Sequence, residues 1–83
     1  ACCGGSGAFL IPQAIKAGAD AFITADIKYH QFLDAPKDFL LIDAGHYETE
    51  QFTKEIFYEF LIKKFPNFAL RFSKVNTNPI KYL

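Results

Sequence analysis

His46 and Glu50 stand four apart at the opening of a helical pattern, so one turn stacks them on one face. An imidazole and a carboxylate placed in this way can hold the same ion. Asp26 and His30 repeat the spacing, and each pair follows an apolar run. For Asp26 and His30 a plainer reading stands beside the chemical one: a helix-capping aspartate and a histidine on a partly exposed face. Imidazole and carboxylate suit Zn, Fe, Mn or Ni, but a site with only two protein ligands is too poor to hold an ion firmly.

The elements that must position these groups follow from the apolar pattern. Phe39 to Ile42 runs without polar alternation, as a strand covered on both faces of a parallel sheet would, and Asp43-Ala44-Gly45 breaks it into a turn. Ligands of open α/β sheets collect beyond the carboxyl ends of the strands, where His46 and Glu50 fall. Earlier in the chain, Ala1 to Cys3 reads as the end of a strand, Gly4-Gly5-Ser6-Gly7 as a turn, and Ala8 onward as a helix with Pro12 in its first turn and Gly18 as its stop. The glycine turn lacks both the spacing of a dinucleotide fingerprint and the Gly-Lys-Ser/Thr of a P-loop, so it is a weak phosphate site. Ala21 to Thr24 is the next strand, after which Asp26 caps a short helix through Leu33 that Ala35-Pro36 closes.

A long helix is expected from about Tyr47 to Lys64, with Phe52, Ile56, Phe57, Phe60 and Leu61 as its apolar stripe and His46 and Glu50 at the stripe's edge. Phe68 to Ser73 alternates apolar and polar residues like an edge strand, and Val75 to Ile80 is turn-rich. The fold class is therefore α/β, a mostly parallel sheet in β-α-β-α-β-α-β order with helices on its faces. Residues 1–83 read as a single α/β segment, and the opening on what looks like a strand end leads us to expect a missing N-terminal portion.

Composition narrows the function classes. Nine basic residues balance nine acidic ones, so no electrostatic field argues for nucleic acid or an anionic membrane. No apolar run approaches the roughly 18 residues of a membrane-spanning helix, and no signal-peptide pattern is present. A cytoplasmic protein is the expectation. Cys2 and Cys3 are adjacent and are the only cysteines, which suits two small apolar residues in a strand better than a disulfide framework.

Three stretches then suggest a family. Cys3-Gly4-Gly5-Ser6-Gly7, Gly18 to His30 with Thr24-Ala25-Asp26 and Lys28-Tyr29-His30, and Ile42-Asp43-Ala44-Gly45-His46-Tyr47-Glu48-Thr49-Glu50 come in family order. Together they resemble the C-terminal part of the Nif-three-like dinuclear metal-centre proteins, whose members include type 2 GTP cyclohydrolase I homologues. The closing Val75-Asn76-Thr77-Asn78-Pro79-Ile80 fits the same pattern, whereas Ala25 stands where the family's motif has glycine. The resemblance implies a toroidal homohexamer of α/β subunits, each with two divalent metal ions held by His, Asp and Glu. It assigns His46 and Glu50 as metal ligands, the glutamate bridging the ions, and it leaves a histidine pair and an aspartate to the N-terminal part.

Two ions sharing a carboxylate polarise a substrate oxygen and activate water at neutral pH, so hydrolysis is the natural reaction class. One functional reading is therefore a metal-dependent, GTP cyclohydrolase-like hydrolase acting on a nucleotide or another phosphorylated small molecule. In it His30, oriented by Asp26, serves as the catalytic proton-transfer group. The other reading is a non-catalytic hexameric scaffold or partner-binding protein whose metals are structural. Open coordination positions distinguish the two.

Overall fold

A computed structural model describes residues 1–83. Three strands, β1 (Cys2–Ser6), β2 (Ala21–Ala25) and β3 (Leu40–Asp43), form one parallel sheet in the order β1-β2-β3. A single 3-10 turn, Ala8–Leu10, leads into α1 (Ile11–Lys16), and α2 (Tyr29–Asp34) and α3 (His46–Glu50) follow β2 and β3. The chain divides into two compact units, Ala1–Glu50 and Gln51–Leu83.

The first unit is built around β2. Its Phe22 and Leu41 of β3 are register partners, and Phe22 packs with Ile11, Ala14 and Phe39 in the core, with Leu10, Ala35 and Leu41 against it. On the opposite face Ile23 pairs with Ile42 and Ala21 with Leu40, and here Ile23 and Leu40 are exposed. The run expected to be covered on both faces is thus covered on one within this chain. α1 ends in a Schellman motif: Gly18 at φ +77° donates to the Ile15 carbonyl, and Ala19 donates to that of Ala14.

β1 is longer than the sequence pattern suggests. Gly4 and Gly5, expected in a turn, belong to the strand. Between the pairs Cys2–Ile23 and Ser6–Ala25 the register slips, four residue steps along β1 matching two along β2. Gly5 at φ +62° makes this bulge possible, because a left-handed residue lets one strand carry extra length past its partner.

Two further expectations are corrected. The helix expected over Tyr47–Lys64 is two helices, α3 and α4 (Thr53–Lys64), separated at Gln51-Phe52. Thr49 Oγ1 donates back to the Gly45 carbonyl, 2.9 Å away, an i−4 bond of the kind that bends helices and weakens their propagation. Phe68–Ser73, expected as a fourth strand, pairs with no other strand. A strand persists only where a neighbouring backbone completes its ladder, and the second unit contains none. The α/β class and the parallel sheet hold; the fourth β step does not.

The second unit consists of α4 and the irregular segment after it. Tyr58 stacks on Phe72 with ring centroids 4.6 Å apart, and Phe65 leans on Phe68 at 5.4 Å. The stripe residues Phe52, Ile56, Phe57 and Phe60 are all exposed. No helix of the chain is long and apolar enough to cross a membrane.

Candidate metal centre

The carboxyl ends of β1, β2 and β3 converge through a set of short polar ties. Thr24 is fully buried at the end of β2, and its hydroxyl donates to the Gly5 carbonyl at 3.1 Å. Gly5 N–H in turn donates to Thr49 Oγ1 at 2.9 Å, which fixes the β1 bulge against α3. Ala44 N–H donates to the Thr24 carbonyl at 2.8 Å. Asp43 accepts from Ile27 N–H through Oδ2 and from Gly45 N–H through Oδ1, at 2.9 and 3.0 Å, so one carboxylate ties the loop after β2 to the turn after β3.

On this frame His46 opens α3 between two carboxylates. Its Nδ1 lies 2.6 Å from Asp26 Oδ2 and its Nε2 lies 3.1 Å from Glu50 Oε2. All three side chains are about half exposed. The hydrogen bond to Asp26 is the main reason that the His46 imidazole is held above its ordinary pKa of 6.5; partial desolvation opposes this, and the charges of Asp26 and Glu50 add to it.

The i,i+4 spacing therefore brings His46 and Glu50 together, while Asp26 departs from its expected part. The cap of α2 is Lys28, whose N–H donates to the Gln31 side chain at 2.8 Å, and Asp26 stands outside the helix at φ +57°. Its carboxylate serves His46. His30 lies on the exposed face of α2 with its ring edge-on to Tyr29 at 5.3 Å.

The donor set fits a metal ion as a pair of ligands. Bonds of about 2.0–2.2 Å to nitrogen and oxygen put neighbouring ligands roughly 3 Å apart, which matches the separation of Nε2 and Oε2. Gly5 leaves the space for this pair: a Cβ there would stand 2.1 Å from Glu50 Oε1 and 3.2 Å from His46 Nε2. No group of three or more His, Cys, Asp or Glu side chains is arranged to hold an ion. Gly5, Thr49 and Asp43 are parts of the site that the spacing of titratable residues does not announce.

Residues 1–79 match the Duf34/NIF3 (NGG1p interacting factor 3) family. The chain belongs to this family. Among its relatives, a GTP cyclohydrolase 1 type 2 homolog of Staphylococcus epidermidis is 39% identical over 83 residues, covering 95% of this chain and 23% of that protein. A protein of the same description from Nostoc sp. is 49% identical over 49 residues, 58% of this chain and 19% of that one. Two solved structures share the fold over 99% of the chain. Staphylococcus aureus protein SA1388 does so with a TM-score of 0.75 at 35% identity, over 28% of its own length. A Bacillus cereus protein related to NIF3 does so with a TM-score of 0.71 at 30% identity, over 24%. The Duf34/NIF3 chain described here thus spans about a quarter of the length of the relatives it matches.

Proposed function

We propose that this Duf34/NIF3 segment supplies His46 and Glu50 as two ligands of a dinuclear metal centre in a metal-dependent hydrolase. The observation that carries the reading is the convergence of His46 Nε2 and Glu50 Oε2, 3.1 Å apart, over the side-chain-free Gly5. The family, and relatives described as GTP cyclohydrolase 1 type 2 homologs, favour a nucleotide or another phosphorylated small molecule as substrate. The remaining ligands come from the part of the subunit outside this chain, and the intact protein is a cytoplasmic homohexamer.

Two divalent ions, Zn, Fe, Mn or Ni, would supply Lewis acidity and an activated water at neutral pH. The chain's own residues bind and orient. His46 offers Nε2, Glu50 offers its carboxylate, and the bulge at Gly5 keeps the backbone of β1 close without filling the site. His30, on the helix that leaves the neighbouring strand end, holds and delivers the proton that the leaving group requires.

Metal analysis of the intact protein tests the reading. His46→Ala and Glu50→Ala are each expected to lower bound metal after dialysis against a chelator. Undiminished metal in both variants would overturn it.

A further inference from the structure

We propose that Asp26 is the positioning residue of this centre: its carboxylate accepts the Nδ1–H of His46 and so leaves the Nε2 lone pair for the metal. The inference rests on reading His46 as a ligand through Nε2, and it adds a role for a residue that supplies no bond to the ion. The contact is short, 2.6 Å between Nδ1 and Oδ2. A metal-binding imidazole needs one nitrogen unprotonated, and the partner of the other nitrogen decides which one that is. Asp26 sits at the Nδ1 edge of the ring, away from Nε2 and Glu50, so its carboxylate orients the ring from behind.

The backbone gives an independent reason. Asp26 is the only residue other than glycine with positive φ, at +57°, a conformation that L-residues adopt sparingly. Such outliers persist where surrounding contacts over-determine them. Here the contact is visible: Asp43 accepts from the N–H of Ile27, just after Asp26, and from the N–H of Gly45, just before His46. One carboxylate thus sets the distance between the two loops, and the turn at Asp26 aims its side chain at the ring. Asparagine tolerates the same φ and glycine adopts it freely, so both replacements remove the charge without straining the fold.

The experiment uses the metal-free intact protein and zinc. Nitrogen-15 NMR of the His46 ring at alkaline pH should report the Nδ1–H tautomer in the wild type. In Asp26→Gly it should report the Nε2–H form, with zinc affinity lowered about 10–100-fold and unchanged stoichiometry at saturation. Asp26→Asn, whose amide oxygen still accepts the Nδ1–H, should keep the tautomer and lose less affinity. A wild-type ring in the Nε2–H form overturns the proposal without any variant. Wild-type tautomer and affinity in Asp26→Gly also overturn it, and a stoichiometry as low as that of His46→Ala would make Asp26 a ligand instead. Full metal in His46→Ala would defeat the underlying ligand reading separately, whatever Asp26 does.

Discussion

Replacing Gly5 by alanine separates the space that Gly5 leaves from the flexibility it provides. At φ +62° an alanine pays the left-handed penalty of about 1–2 kcal/mol, and its Cβ would stand 2.1 Å from Glu50 Oε1 and 2.8 Å from Cδ. Because the carboxylate is the far end of a flexible side chain, it can retreat by about 1.3 Å to an ordinary contact near 3.4 Å, and the fold survives. That movement is several times the roughly 0.2 Å within which metal–ligand distances are held. Metal affinity should therefore fall on the order of 10–100-fold, or about 1.4–2.8 kcal/mol. Gly18→Ala is the control, since Gly18 has φ +77° and nothing within 4 Å of the added carbon. Both variants should unfold at a lower temperature in the intact protein, and only Gly5→Ala should need more zinc to saturate in a chelator-competition titration. Equal zinc affinity in the two variants would refute the reasoning, because the space over Gly5 would then have no bearing on where Glu50 binds.

Thr24→Val preserves shape in a fully buried position but strips the Gly5 carbonyl of its donor, and should cost about 1–3 kcal/mol in a thermal or denaturant unfolding measurement. Asp43→Ala frees two N–H groups on an exposed surface; a loss of about 1 kcal/mol is expected, with faster hydrogen exchange at Ile27 and Gly45 than in the wild type. On the proposed hydrolase reading, His30→Gln in the intact protein should leave bound metal unchanged and lower turnover of a nucleotide substrate about 10²–10⁴-fold, checked by metal analysis and steady-state kinetics on the same sample.

β2 and β3 were legible because each is a short apolar run ended by a small or acidic residue: Ala21 to Thr24 before Ala25-Asp26, and Phe39 to Ile42 before Asp43-Ala44-Gly45. What failed were inferences needing knowledge of a neighbour. Gly4 and Gly5 have the composition of a turn, yet a parallel partner lets the chain run on through a bulge, and nothing local says that the partner is there. Phe68–Ser73 shows the opposite case, with strand-like alternation and no partner to make it a strand. The stripe Phe52, Ile56, Phe57 and Phe60 has the periodicity of a buried face but is exposed in this chain, which spans about a quarter of the length of its relatives. Periodicity states which residues share a face; it does not state whether the covering surface belongs to the same stretch of sequence.

The same distinction explains the site. His46 and Glu50 meet through a helical turn, a relation contained in four residues of sequence, so spacing alone finds them. Asp26 meets His46 only through the sheet. Thr24 and Asp43 are register partners at the ends of β2 and β3, Asp26 lies two residues beyond the first and His46 three beyond the second. Sequence proximity instead favoured His30, one helical turn from Asp26, as the imidazole that Asp26 would orient. That expectation assumed Asp26 to be the cap of the helix, the place that Lys28 takes. At φ +57° it stands before the helix, where its side chain follows the loop and the Asp43 tie across to the next strand. A carboxylate next to an apparent helix start is therefore ambiguous between cap and cross-strand partner, and a backbone angle that sequence spacing does not encode resolves it.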